Sequence, residues 1–227
     1  RLPATEVARR LAIPRSTVGL ILRRKGLAKW SSLEKKEPPR RYEIAEPGGL
    51  VHLDIKKLGK IQGVGHRIHG DFTRRSRGVG WEHLHVAIDA HSRSSYAEIL
   101  QDEKKETTAA FLQRALSHYI SQGIRVQRIL TDNGKCYHSF PVRDVCEAHA
   151  IKHSYTRPYR PQTNGKAERF IPTMLGGWAY GAIYASSAER TAALDGWLWH
   201  YNHHRRHSAI GRQPPINRLN NLLGTYS

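Results

Sequence analysis

Three runs in which apolar and polar residues alternate, 50–57, 82–89 and 95–100, predict half-buried β-strands. From Thr107 to Gln122 the spacing changes to that of a helix. Leu112, Ala115, Leu116, Tyr119 and Ile120 share one face, with Thr107 as the expected cap and Gly123 as the expected end. A strand over 125–131, a short helix over 141–150, a brief strand over 151–155 and a helix opening near Lys166 follow. A last helix over 187–204 places Leu194, Trp197, Leu198 and Tyr201 together. Three consecutive strands and then alternating helix and strand predict an α/β fold with a mixed sheet flanked by helices.

Ahead of the first strand, residues 4–11 and 15–25 read as two short helices around Ala12-Ile13-Pro14. Val7, Ala8, Leu11, Ile13, Val18, Ile21 and Leu22 form their apolar set. Residues 31–47 carry Glu34-Lys35-Lys36-Glu37-Pro38-Pro39-Arg40-Arg41, a charged, proline-bearing stretch suited to a linker. The expected organisation is a helical segment over 1–29, a linker over 30–47, a core over 48–210 and a tail over 211–227 lying on that core.

Composition narrows the partner. Among 227 residues, 37 Lys and Arg face 19 Asp and Glu, a formal charge of +18, which points to a polyanion and first to nucleic acid. An anionic membrane surface would favour basic amphipathic helices, whereas the basic residues here are spread through every segment. The glycine- and arginine-rich connection with Gly63, Gly65, His66, Arg67, His69 and Gly70 is expected to be a mobile hairpin loop. It reads as part solvated basic turn and part DNA-backbone contact. The two cysteines, Cys136 and Cys146, form no Cys-x-x-Cys pair, which argues against a disulfide framework and a structural zinc site. Cys146 falls at helical spacing with Val142, Val145 and His149, where packing is its role. No apolar run approaches the length of a membrane span and no signal-peptide pattern opens the chain, so a cytoplasmic location is expected.

Three acids stand out. Asp54 lies inside the apolar run Val51-His52-Leu53-Asp54-Ile55, and Asp132 lies where the strand ending Ile129-Leu130-Thr131 runs into Asn133-Gly134. A strand buries a lone Asp only with a partner or a cation. Glu168 falls in the first turn of a helix preceded by Asn164-Gly165, a turn pair that can also cap; taken alone it is a favourable partner for the helix dipole. Two prolines, Pro158 and Pro161, hold the preceding loop extended.

The ordered segments VHLDIKKLG (51–59), HVAIDAHSR (85–93), LTDNG (130–134), PYRPQTNGKAERF (158–170) and WHYNHHRRHSAIG (199–211) resemble insertion-sequence transposases whose catalytic core is like that of retroviral integrases. Thirty-five residues, 133 to 167, separate Asp132 from Glu168. The resemblance implies a ribonuclease H-like fold and a DDE core in which Asp54, Asp132 and Glu168 hold two Mg²⁺ or Mn²⁺ ions. Asp54 would be shared between the ions. It further implies cleavage at the ends of a mobile element, joining of the 3′-end to target DNA, and a homo-oligomer on DNA. The N-terminal helices resemble the helix-turn-helix of the same transposases, with Arg15, Ser16 and Thr17 where base-contacting side chains sit; a plain helical hairpin fits the same pattern. That unit is expected to be partial, because the chain opens at Arg1 inside its first helix.

Around the acids, Arg157, Arg160, Lys166 and Arg169 are candidate phosphate contacts. Tyr159, Gln162 and Asn164 are candidates for positioning the strand or a reacting group. His200, His203, His204 and His207 lack a Cys or acidic partner and belong to the family tract. Asp89 also ends an apolar strand, and its neighbours Ala90-His91-Ser92-Arg93 give it a turn-capping role. Pro172 and Gly176-Gly177 predict a kink at Pro172 or an early end to the Glu168 helix near Gly176, with Glu168 less firmly aimed; a later helix start would place Pro172 harmlessly in the first turn. Arg206 stands where the family has proline. Two alternatives therefore remain beside an active transposase: an impaired DNA-binding remnant and a hydrolytic nuclease on the same fold.

Overall fold

The computed structural model describes residues 2–28, 44–63, 79–156 and 164–223. Residues 29–43, most of the glycine- and arginine-rich connection, and the positions of Arg157, Tyr159, Arg160 and Gln162 lie outside them. The chain divides into two compact units, Arg1–Tyr42 and Glu43–Ser227.

In the first unit α1 (Ala4–Leu11) and α2 (Arg15–Arg24) flank a turn in which Ala12 adopts a left-handed backbone, φ 50°. Pro14 precedes α2, with its fixed φ suited to a helix start. Glu6 bridges Arg9 and Arg10 at 2.7 and 2.8 Å. Ala8 and Val18 are buried, whereas Leu11 and Ile21 from the expected apolar set are exposed.

The second unit is built on a five-stranded sheet in the order β3-β2-β1-β4-β5. Its strands are β1 (Val51–Gly59), β2 (Trp81–Asp89), β3 (Ser95–Leu100), β4 (Arg128–Thr131) and β5 (Lys152–Tyr155). The first three form an antiparallel meander; β4 joins β1 in parallel and β5 joins β4 in parallel, giving the mixed sheet expected from the sequence. The strand predicted over 125–131 begins only at Arg128. Ile124 and Val126 are instead buried on the approach, where Gln127 N–H donates to the Gly48 carbonyl at 2.8 Å.

Period-two alternation along β1 sorts its side chains. Val51 and Leu53 enter one core with α3 (Lys105–Ser121) and α4 (Phe140–Ala148), through Phe111, Leu112, Leu116, Val142 and Cys146. On the other face, Leu84, Val86 and Ile88 meet α5 (Gly165–Met174) and α6 (Ser187–His203), through Phe170, Met174, Leu194, Leu198 and Tyr201. The helix α7 (Pro215–Leu223) returns Leu219 to the first core. Helix α3 starts two residues before Thr107. Lys104 rather than Thr107 stands at the cap position and makes no side-chain cap bond; Asp102, outside the helix, accepts the Lys104 amide at 3.0 Å.

Pro172 falls in the interior of α5, not its first turn, and its ring is exposed. The α-helix ends at Met174 and passes into a π-helical turn, Leu175–Ala179, closed by Tyr180 N–H donating to the Leu175 carbonyl at 2.9 Å. Gly177 has a packing reason: a Cβ there would stand 2.8 Å from Nε1 of Trp197. The adjoining Trp178 is buried and donates its Nε1–H to the Arg190 carbonyl at 2.8 Å. Arg190, itself buried, reaches the Gly59 carbonyl and pairs with Glu82.

Candidate active site

The parallel register of β1 and β4 matches Val51 with Ile129 and His52 with Leu130. Continued by two residues, that register sets Asp132 abreast of Asp54, just past the last paired residues. Asp132 leaves the sheet at the end of β4, and its Oδ1 accepts the Gly134 amide at 2.9 Å. Asp54 is half-buried within β1, with Oδ1 accepting the Ile55 amide at 2.8 Å.

Glu168 arrives from the opposite direction. The first residue ahead of α5, Asn164, is buried and does not cap the helix. Its Oδ1 accepts Nδ1–H of His52 at 2.9 Å, the tautomer being set by the amide oxygen, and its Nδ2–H donates to the Leu53 carbonyl at 3.1 Å. Both halves of the side chain are thereby spent on β1. Asn164 forms a buried latch between α5 and the strand carrying Asp54. Glu168 follows one helical turn later, about 6 Å along the axis, and is exposed.

The electrostatics record the convergence. Burial pushes the Asp54 carboxyl up to about 6, and the negative charges of Asp132 and Glu168 add to the rise, against the opposing Ile55 amide. Burial holds the His52 imidazole down at about 4, opposed by its bond to Asn164. His52 was not among the residues singled out from the sequence, although alternation puts it on the same face of β1 as Asp54. A histidine on the inward face of a strand, two residues from an acid, was the available signal.

A cleft of about 340 Å³ opens beside Asp132, lined by Ile55, Glu103, Gly134, Lys135, Cys136 and Tyr137. A hollow of about 400 Å³ lies at the other end of β4, between Leu116, Ile120, Ile124, Val126 and Ile151; it is lined mainly by apolar side chains and holds no carboxylate. The first is the one that bears on chemistry. Asp89 is separate from the three acids: buried at the end of β2, it accepts the amides of Gly48 and Ser92 and the Ser92 hydroxyl, the turn-capping role expected of it. Lys166 is half-buried and Arg169 exposed on α5, and Arg15, Ser16 and Thr17 are exposed in the first turn of α2.

Hard oxygen donors without thiolate suit Mg²⁺ or Mn²⁺. Among the described residues no group of three His, Cys, Asp or Glu side chains is drawn together closely enough to hold one ion. An arrangement in which each ion takes two carboxylates, with Asp54 common to both, needs no such group, and a buried carboxyl raised by two neighbouring acids is one that a cation would ionise.

The mixed five-stranded sheet with helices on both faces is the architecture of a ribonuclease H-like core. Two models of the integrase core domain match the chain, over residues 61–161 and 149–215. The putative-transposase relative of insertion sequence IS5376 from Geobacillus stearothermophilus is 26% identical over 195 residues, 79% of this chain and 44% of the relative. Among solved structures, a chain of the simian T-cell lymphotropic virus intasome in complex with PP2A regulatory subunit B56 gamma aligns with TM-score 0.61 and 18% identity, covering 96% of this chain and 74% of that one. The catalytic core domain of BIV integrase aligns with TM-score 0.53 and 19% identity, over 79% and 99% of the two chains. Across residues 61–215 the chain carries an integrase core domain, and it is similar to transposases and retroviral polyproteins. It spans between 6% and 44% of the length of curated relatives such as a simian retroviral polyprotein and the IS5376 protein. Among the described residues no helix is long and apolar enough to cross a membrane.

Proposed function

We propose that the chain is a DNA transposase that cuts the ends of a mobile element and joins the freed 3′-hydroxyl to target DNA, with Asp54, Asp132 and Glu168 as the catalytic acids. The observation that supports the reading is the β1–β4 register, which continued by two residues brings Asp132 beside Asp54, together with the Asn164 bonds to His52 and Leu53 that hold the helix bearing Glu168 against β1. Asp54 would be shared by two Mg²⁺ or Mn²⁺ ions, Asp132 serving one and Glu168 the other. When bound, the ions supply an activated attacking oxygen and a stabilised leaving oxygen. The chain's own residues then have distinct tasks. The Asn164 latch aims Glu168; Lys166 and Arg169 neutralise phosphates beside it; Arg157, Tyr159, Arg160 and Gln162 remain contacts proposed from the sequence. Arg15, Ser16 and Thr17 are proposed to meet element-end DNA from α2. That a similar chain forms part of a viral intasome supports a homo-oligomer working on DNA.

The test is neutral substitution. Asp54→Asn, Asp132→Asn and Glu168→Gln should each abolish Mg²⁺- or Mn²⁺-dependent cleavage and joining while duplex binding stays near the parent's; Asp89→Asn, if folded, should stay active. A single variant that keeps most of its activity strikes that residue from the site. Cut products without joined ones would identify a hydrolytic nuclease, and a parent that binds DNA but never cuts it would refute the enzyme reading.

A further inference from the structure

Two interlocks gather positive charge at one end of the sheet face covered by α5 and α6. Asn202, near the end of α6, is bonded to the start of β3: Ser95 N–H donates to its Oδ1 at 2.9 Å, and its Nδ2–H donates to the Ser95 carbonyl at 2.8 Å. Arg93 precedes Ser95 by two residues, in a left-handed backbone with φ 70°, and Arg205 follows Asn202 by three. The lock therefore sets both beside Tyr201 and His207, whose rings are 4.7 Å apart. Their charges act on the same groups: Arg205 and Arg93 both disfavour protonation of His207 and favour ionisation of Tyr201, although burial is the largest influence on each.

The second interlock is the His52–Asn164 latch. It brings Lys166, two residues after Asn164, over β1, and the pairing of His52 with Leu130 sets Arg128 on the neighbouring strand. Ser95, Ile88, His52 and Leu130 pair in one row across the sheet, so both interlocks stand on the same row. Arg128 Nε is a buried donor with no acceptor among the described residues. Asp89, four residues before Arg93, accepts from Gly48 and Ser92. Four cations on one face repel one another, and a guanidinium is matched in shape and charge to a phosphate.

We propose that Arg93, Arg128 and Arg205, with Lys166 at the edge nearest Glu168, bind successive backbone phosphates of the DNA strand that leaves the carboxylate site. This contact rests on the transposase reading and extends it to a surface formed by the β2–β3 turn and the end of α6. It reads no base and serves to hold the strand in register.

The full chain carrying Arg93→Gln and Arg205→Gln is compared with one carrying Arg143→Gln and Lys152→Gln, two exposed positions on α4 and β5. Both lose two positive charges. Binding of a fluorescein-labelled mixed-sequence duplex is titrated across salt, where the log–log slope changes by about 0.9 per phosphate contact. The Arg93/Arg205 pair should flatten the slope by roughly 1.8, and the control pair by much less. Arg205→Gln alone, at an exposed site, should give about half the effect, and Arg93→Lys should retain the parent slope. Equal slopes for the two double variants, or an unchanged slope for Arg205→Gln, overturn the proposal while leaving a parent that cuts and joins DNA a transposase. A flat salt dependence in the parent overturns both.

Discussion

Replacing Asn164 with Ala tests how Glu168 is aimed. The substitution leaves Nδ1–H of His52, on a fully buried side chain, without its acceptor and the Leu53 carbonyl without the Nδ2–H donor. An unmade bond to a buried polar group costs about 1 to 3 kcal/mol, so the two losses together amount to roughly 3 kcal/mol if water repairs part of the damage. For a unit of this size each kcal/mol lowers the melting temperature by about 2 to 4 °C, which gives a fall of about 6 to 12 °C by circular dichroism. Because the latch joins α5 to β1 one turn before Glu168, cleavage of a labelled duplex should slow much more than binding weakens. His52→Ala should show the same split. In the double variant the two effects should overlap by about 0.5 to 3 kcal/mol, since each removes the same bond. An Asn164→Ala chain that melts within a degree of the parent refutes the latch. One that binds DNA far more weakly at an unchanged saturated rate would restore Asn164 as a DNA contact.

Two further outcomes follow from local packing and burial. Gly176→Ala enters open space and should raise the melting temperature, as Ala is favoured over Gly inside a helix by about 1 kcal/mol, whereas Gly177→Ala meets Trp197 and should lower it; the same sign at both positions would contradict the packing. Burial holds the imidazoles of His85, His153 and His207 below their ordinary range, the last two at about 4. The unfolded chain therefore binds protons first, and stability present above about pH 6.5 should be lost as the pH falls towards 4; thermal melts that do not shift between pH 7.5 and 5 would refute it.

The strands and most helices were legible because their apolar positions repeat with the period of the element. The three acids were legible for a different reason, since an acid inside an apolar strand has no inexpensive burial. The approach to β4 looked like strand because Ile124 and Val126 are apolar, yet they fill the core from an irregular segment bonded to Gly48. Thr107 looked like a cap because local propensity favours it, yet the helix begins two residues earlier, after Lys104. Asn164 carried turn chemistry in its sequence neighbours, and its true partner lies 112 residues away in His52. The α-helix does end early, at Met174, but Gly177 has a packing reason that no local rule announces, an indole pressed against the backbone, and the π-helical turn and the buried Trp178 belong to a packed junction.

The parallel seam between β1 and β4 has a consequence for synthesis. The meander β1-β2-β3 pairs neighbours in sequence and can form as soon as residue 100 has left the ribosome, but the β1–β4 seam must wait for the connecting helix, and the latch for residue 164. Asp54 is thus made early and stays without its companions until nearly three quarters of the chain exists. A chain interrupted before Asn164 lacks Glu168 altogether and has nothing to hold α5 against β1. For a protein proposed to cut DNA, this order of assembly leaves unfinished molecules without the full set of acids.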